Sequence, residues 1–292
     1  PRDRRLLGLA GAGAIAIAVG SQAADWHATT ILAGLTATLL LIAGRRTLLS
    51  WPVLLGAVLA VILFVPMRRY TVAGGGPISL EPYRLLIAVV LAAWFASVLV
   101  DPASRVHATG LEAPLLLLCA AMLISIALNV RAINAQGITS DVVKQLSFFA
   151  SFFLMMYFAA SAISTRSLLD RTIMGLVGGG TLVAVFSLVE WQTGTNVFNQ
   201  LHRVLPVLHM VPLPEGDALA RGGRVRAFGS AQHPIALGAM LVMLLPFAMY
   251  LNRRTGHLLW LGCGAILTLG VLATGSRTGA LMLAVLLVVF FW

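Results

Sequence analysis

The sequence predicts an all-α protein, a polytopic transmembrane helix bundle of about ten spans that forms a single domain over residues 1–292. Of the 292 residues, 59% are hydrophobic and only 10% are charged, and the mean hydropathy is +0.94. A soluble globular domain carries about 25% charged residues. The composition therefore argues against a soluble enzyme, a disordered chain and a fibrous repeat.

Ten apolar runs approach the length of about 20 residues that one membrane-spanning helix needs. Proline stands at the start of three of them (Pro52, Pro114 and Pro234), where a helix tolerates it. The glycine run 178–180 interrupts the seventh; close helix packing is the favoured interpretation, and a hinge is the alternative. The predicted spans cover residues 6–22, 29–44, 51–66, 84–100, 113–130, 143–162, 172–189, 235–251, 257–274 and 278–292.

The distribution of Lys and Arg predicts the orientation of the spans. If the N-terminus is cytoplasmic, the inside segments carry more basic residues than the outside short loops, although Arg68 and Arg69 run against this bias. The long loop at about 190–234 then lies outside. The chain begins at Pro1 and its last apolar run continues to Trp292, so we expect truncation at the C-terminus, with more protein following.

The loop between the seventh and eighth spans is long enough to expect a function. Phe198, Leu201, Leu205 and Leu208 fall on one helical face. This pattern predicts a short amphipathic helix, which lies either in the membrane interface or on an ordinary protein surface. Glu190, at the end of the seventh span, is expected to pair with an arginine of the loop.

A basic cluster, Arg221, Arg224 and Arg226, precedes the eighth span. It is either a solvated loop in contact with anionic lipid headgroups or a binding site for a lipid-linked phosphate, which the planar guanidinium fork suits. The depth of the cluster in the membrane favours the phosphate. The segment 227–234 follows, with Gln232 and His233 just before the helix, whose first N–H groups favour anions.

Arg277 lies in a second short turn, between the ninth and tenth spans, beside Ser276. An arginine between two apolar helices is costly unless it meets water or an anion. By alternation of the spans, Arg277 faces the same side as Arg226. We therefore favour a functional role over that of a structural arginine that only extends to the membrane surface.

In these two stretches, 226–234 and 275–279, the chain resembles the O-antigen ligase and O-antigen polymerase family of bacterial envelope glycosyltransferases. The family shows an arginine, a glycine-containing turn and a helix start, then a Ser-Arg-Gly-like turn after one further hairpin. The motifs support the resemblance over about 185–292, and upstream it depends on the number of spans.

The resemblance implies a metal-independent, cofactor-free glycosyltransferase in the bacterial cytoplasmic membrane. Such enzymes take a glycan from a polyprenyl diphosphate carrier on the outer face and pass it to a lipid or polysaccharide acceptor, as a ligase or a polymerase. The motifs imply that Arg226 and Arg277 hold the diphosphate, with Arg224 as the second choice for the first position. Arg221, Ser276 and Gln232 are the further substrate-binding candidates.

A histidine is the expected general base. Family members usually carry a histidine in a later outside loop, which lies beyond this chain. His233 stands beside the arginines and has the chemistry of a general base, but capping of the helix start is its favoured role.

Two other classes of function are weighed against the enzyme. A multi-pass transporter or lipid flippase is expected to show broken helices and polar residues at the membrane midplane in both halves, and the spans show neither clearly. A non-catalytic partner subunit is the other alternative. Nucleic acid is not an expected partner, because the basic residues are scattered among apolar spans; the expected partners are the glycan donor, the acceptor and membrane lipids.

Overall fold

The computed structural model describes residues 50–67, 69–72, 81–100, 109–205, 208–211, 220–221 and 224–291. The chain divides into two compact units, Pro1–Leu55 and Gly56–Trp292. Of the first unit, only residues 50–55 are described, and they contain the start of a helix. The predicted spans over residues 6–22 and 29–44 lie outside the described residues.

The described part before the long loop is mostly helical, and its helices coincide with the predicted spans. The helix that starts furthest before its predicted limit begins at Arg166, because its polar first turns are held by an N-cap: the side chain of Thr165 accepts a hydrogen bond from the backbone N–H of Leu168. These helices are α1 (Trp51–Phe64), α2 (Pro82–Val100), α3 (Glu112–Ala135), α4 (Thr139–Ala162) and α5 (Arg166–Thr193).

The long loop contains short elements, and helices follow it. Strand β1 (Tyr70–Val72), which follows α1, pairs antiparallel with a strand of the loop, so that Tyr70 lies opposite Met210. The elements of the loop are a 3-10 helix (Val197–Gln200), α6 (Leu201–Val204), β2 (Leu208–Met210), β3 (Ala220–Arg221) and β4 (Arg224–Val225). The helices that follow are α7 (Pro234–Thr255), α8 (Leu259–Ala273) and α9 (Arg277–Phe291).

Several of these helices suit a membrane by length and composition. Among the described residues, α2, α3, α4, α5 and α7 are long and apolar enough to cross it. Helices α1, α8 and α9 are also apolar but have only 14 or 15 residues. The described chain is thus mostly helical with apolar helices of membrane-spanning length, and the total of ten spans stays a prediction.

The core lies where α5, α7, α8 and α9 pack together. Glycines allow their close approach: a Cβ added at Gly270 of α8 would lie 2.8 Å from the Cβ of Ala184, and one added at Gly180 of α5 would overlap Leu244. Such small-residue contacts are typical of helix pairs in lipid. Helix α5 runs unbroken through the glycine run 178–180, which agrees with close packing rather than with a hinge.

Helices α2 and α4 pack against each other, with an edge-to-face contact of 6.0 Å between the rings of Trp94 and Phe158. Helix α3 has no buried residue within the described part of the chain. Its leucine side chains are largely exposed, as expected of a helix that faces lipid on most sides.

The two ends of the bundle differ in their polar contacts. At one end, which we call the loop end, the long loop meets β1 and the turn after α8, where the N–H of Ala227 donates to the carbonyl of Ala273 (3.4 Å). At the other end, Asp170 accepts a hydrogen bond from Tyr250 (2.7 Å) and pairs with Arg254 (3.6 Å). The loop end is where the sequence places Arg226 and Arg277.

The predicted amphipathic helix is much shorter than expected. Helical structure ends at Val204, Leu205 is extended (φ −120°, ψ 88°) and Leu208 lies in strand β2. The physical reason is Pro206, since the residue before a proline is disfavoured in the α-helical region. The helix predicted from the apolar spacing was therefore right at Phe198 and Leu201 and wrong at Leu205 and Leu208.

Candidate functional site

A tight turn between α8 and α9 sets the position of Arg277. Its conformation requires Gly275, whose φ is +55°. The hydroxyl oxygen of Thr274 accepts from the N–H of Ser276 (3.2 Å), and the hydroxyl oxygen of Ser276 accepts from the N–H of Gly279 (3.1 Å). Ser276 is therefore the N-cap of α9, and Arg277 is the first residue of that helix.

The side chain of Arg226 lies against this turn. Its Nε donates a hydrogen bond to the carbonyl oxygen of Thr274 (3.0 Å), and a Cβ added at Gly275 would lie 3.6 Å from its Cγ. Arg277 follows Gly275 by two residues, so their Cα atoms are at most about 7.6 Å apart. The fold thus brings the two predicted arginines to one small region of the loop end.

The start of α9 is positively charged. Arg277 is exposed, and the first turn of α9 contains no acidic residue. The N-terminus of a helix already carries a partial positive charge, which favours an anion and disfavours a cation. An anion at this turn would meet a favourable electrostatic field from both sources.

Behind Arg226, the buried carboxylate of Glu190 holds the backbone of the loop. Glu190, near the end of α5, is only 2% exposed. Its Oε2 accepts from the N–H groups of Phe228 (3.3 Å) and Gly229 (2.8 Å). Its Oε1 accepts from Nδ2 of Asn196, which also donates to the carbonyl oxygen of Gly229 (both 2.9 Å). Bonds of this charge-assisted type contribute about 1.5–3 kcal/mol each.

Arg69, in the segment between α1 and β1, lies against Phe228, whose N–H donates to Glu190. It is 3% exposed, and its guanidinium carbon lies 5.1 Å from the centroid of the Phe228 ring. Its terminal nitrogens are buried without a hydrogen-bond partner among the described residues. Burial lowers the pKa of Arg69 from its ordinary value, while the electrostatic influence of Tyr70 and Glu190 opposes that shift. Arg69 thus lies at the same end of the bundle as the long loop, as the alternation of the spans predicts, and the orientation of that end in the membrane stays a prediction.

The other predicted site residues have mixed positions. His233 is the N-cap of α7, where its Nδ1 accepts from the N–H of Ile235 (3.2 Å), which is the capping role that the sequence favours. Gln232 is exposed. Arg221 and Arg224 lie directly opposite each other in the β3–β4 pair.

An apolar groove of about 550 Å³ lies between α7 and α9. Its wall on α9 includes Leu281, Val285 and Val289, which follow Arg277 along the same helix. Leu281 lies about 6 Å along the helix axis from Arg277, and Val289 about 18 Å. The groove therefore begins about one helical turn from Arg277 and lies in the apolar part of the bundle.

The roles of Glu190, Asn196 and Arg69 were not predicted from the sequence. Glu190 was expected to pair with an arginine of its own loop; instead it accepts backbone N–H groups, and the arginine near it comes from the segment after α1. Two signals were present in the sequence: an acidic residue at the end of an apolar span, and an arginine on the side where basic residues are rarer.

No protein-family model, curated protein or solved structure matches the chain.

Proposed function

We propose that this chain transfers a glycan from a polyprenyl diphosphate carrier to a lipid or polysaccharide acceptor, as enzymes of the O-antigen ligase and polymerase type do. The proposed site is the loop end, on the outer face of a bacterial cytoplasmic membrane. The observation that carries the proposal is the hydrogen bond of Arg226 to the turn that leads directly into Arg277.

Two arginines in this arrangement suit the leaving group of the reaction. When the sugar–phosphate bond breaks, negative charge grows on the diphosphate, and guanidinium groups stabilise it through charge-assisted hydrogen bonds. A contact that strengthens in the transition state raises the rate rather than only the affinity. In this proposal Arg226 and Arg277 bind the diphosphate, and the partial positive charge at the N-terminus of α9 adds to the field.

The groove between α7 and α9 supports a donor that is carried by a lipid. Its lining is apolar, and its wall on α9 starts at Leu281, about 6 Å along the helix from Arg277, so one ligand with an anionic head and an isoprenoid chain suits both parts. A soluble nucleotide sugar matches only the first part. The unbroken course of α5 favours this enzyme over a transporter, for which discontinuous helices are expected.

Arg226→Ala is expected to weaken the binding of a long-chain polyprenyl diphosphate by about tenfold or more, because one charge-assisted contact is lost. The measurement is a binding titration with protein in nanodiscs of neutral lipid. Arg203→Ala is the matched control, since Arg203 is an exposed arginine of the same loop. If both variants lose affinity equally, the binding follows loop charge and Arg226 has no specific role.

Val285→Trp is expected to fill the groove and to weaken binding of the polyprenyl diphosphate by about tenfold, which corresponds to the loss of fewer than two buried methylene groups. Binding of inorganic diphosphate should be unchanged. Val288→Trp is the control, because Val288 is similarly exposed on α9 (61%, against 55% for Val285) but does not line the groove. An equal loss for both ligands would contradict a lipid-binding groove.

A further inference from the structure

We propose that Glu190 is the positioning residue of the candidate site. Through the backbone of Phe228 and Gly229, its carboxylate holds Arg226 on the turn that precedes Arg277. This inference rests on the proposed function only for what Arg226 binds; the placement of Arg226 is a separate matter and has its own test.

The geometry gives Glu190 direct control over the segment that carries Arg226. One residue separates Arg226 from Phe228, and the carboxylate oxygen Oε2 accepts from the N–H groups of Phe228 and Gly229. Gly229 has a φ of +54°, so the backbone turns sharply at the point where the carboxylate binds it. The segment is thus fixed on one side by α5 and on the other by the turn after α8.

The carboxylate is itself held in one orientation. Asn196 donates to Oε1 of Glu190 and to the carbonyl oxygen of Gly229, so it closes the contact from the opposite side. The guanidinium of Arg69 covers the ring of Phe228 and brings positive charge near the buried acid. Elements distant in the sequence therefore converge on one carboxylate, which in turn binds the segment beside Arg226.

Ser187 is a matched control for Glu190, because it fills space beside the same turn. Ser187 lies one turn earlier on α5, is fully buried, and donates its hydroxyl to Val183 of its own helix. A Cβ added at Gly229 would lie 2.6 Å from the Ser187 oxygen. Ser187 thus touches the same turn without binding its backbone.

The first measurement is amide hydrogen exchange of the intact protein in nanodiscs, without ligand. In E190A, the amides of Phe228 and Gly229 should exchange about tenfold faster because their acceptor is lost, and exchange over the whole segment 226–230 should rise with them, while peptides from α7 and α8 keep their wild-type rates. S187A should leave the exchange at 226–230 unchanged. E190Q keeps one oxygen that accepts a hydrogen bond, but its amide N–H groups face N–H donors that the carboxylate accepts from. A smaller increase in exchange is therefore expected. If E190A does not fold, E190Q decides the test.

The second measurement is a double-mutant cycle on the affinity for a polyprenyl diphosphate. If Glu190 acts through Arg226, E190Q lowers the affinity in the wild-type background and has no further effect in R226A. A general loss of folded protein would lower binding by the same factor in both backgrounds. The cycle therefore separates positioning from stability.

Unchanged exchange at 226–230 in E190A or E190Q overturns the inference, as does an increase that extends through α7 and α8 or an equal increase in S187A. Equal factors in the two arms of the cycle also overturn it. If the wild-type protein binds no polyprenyl diphosphate, the proposed function fails, and the exchange measurement alone decides whether Glu190 positions Arg226.

Discussion

Arg277→Ala is expected to abolish glycan transfer, with a loss of about 100-fold or more in rate, because removal of one preorganised donor to a developing charge has this effect in other enzymes. The amount of protein in the membrane should not change, since the side chain is exposed and the turn is held by Thr274 and Ser276. The measurement is transfer of a labelled glycan from its polyprenyl diphosphate in reconstituted membranes.

Two variants accompany this experiment. Arg277→Lys keeps the charge but loses the planar fork, so most of the activity should still be lost. Arg253→Ala removes an exposed arginine at the other end of α7 and should retain wild-type transfer. Wild-type activity in Arg277→Ala would remove this residue from the mechanism and, with it, the main argument for a two-arginine site.

Gly270→Val is expected to lower the free energy of unfolding by about 3 kcal/mol, the upper end of the usual cost of overpacking. A Cβ at this position would lie 2.8 Å from the Cβ and 3.3 Å from the Cα of Ala184 on α5. Because the second of these atoms belongs to the backbone, a side-chain rotation cannot relieve the contact. Denaturant titration in detergent micelles, followed by circular dichroism, measures the change.

Gly262→Val provides the matched comparison. Gly262 lies on the same helix, and a Cβ added there meets no atom within 4 Å. The same substitution therefore changes only the local helix preference, by a few tenths of a kcal/mol. Equal stability of the two valine variants would contradict the close approach of α5 and α8.

The helices of this protein were predictable from the sequence because each apolar run has the composition that lipid or a helical core requires. The helix boundaries were less predictable where polar turns extend a helix, as at Arg166, or where proline ends one, as before Pro206. The amphipathic segment shows the limit of such reasoning: periodicity of apolar residues describes one face of a helix only as far as the backbone remains helical.

The placement of Arg226 beside the turn before Arg277 agrees with the alternation of spans, which needs only a count of helices between them. The contacts of Glu190 were beyond that reasoning, because Phe228 and Gly229 contribute their backbone and every residue type except proline offers the same N–H. Neither the spacing of residues nor their composition indicates which buried acid accepts these backbone N–H groups. The position of Arg69 beside Phe228 depends on the pairing of β1 with β2, two strands that lie far apart in the sequence.

That pairing has a consequence for how the protein is made. The hydroxyl of Tyr70 donates to the carbonyl of Phe198, a contact 128 residues apart in the chain, so the segment after α1 must wait for most of the polypeptide before it finds its partner. Contacts of such long range close slowly because chain entropy opposes them. The loop end therefore forms late in synthesis: Tyr70 meets its acceptor only when Phe198 has been made, and Arg226 meets the carbonyl of Thr274 only when α8 is complete.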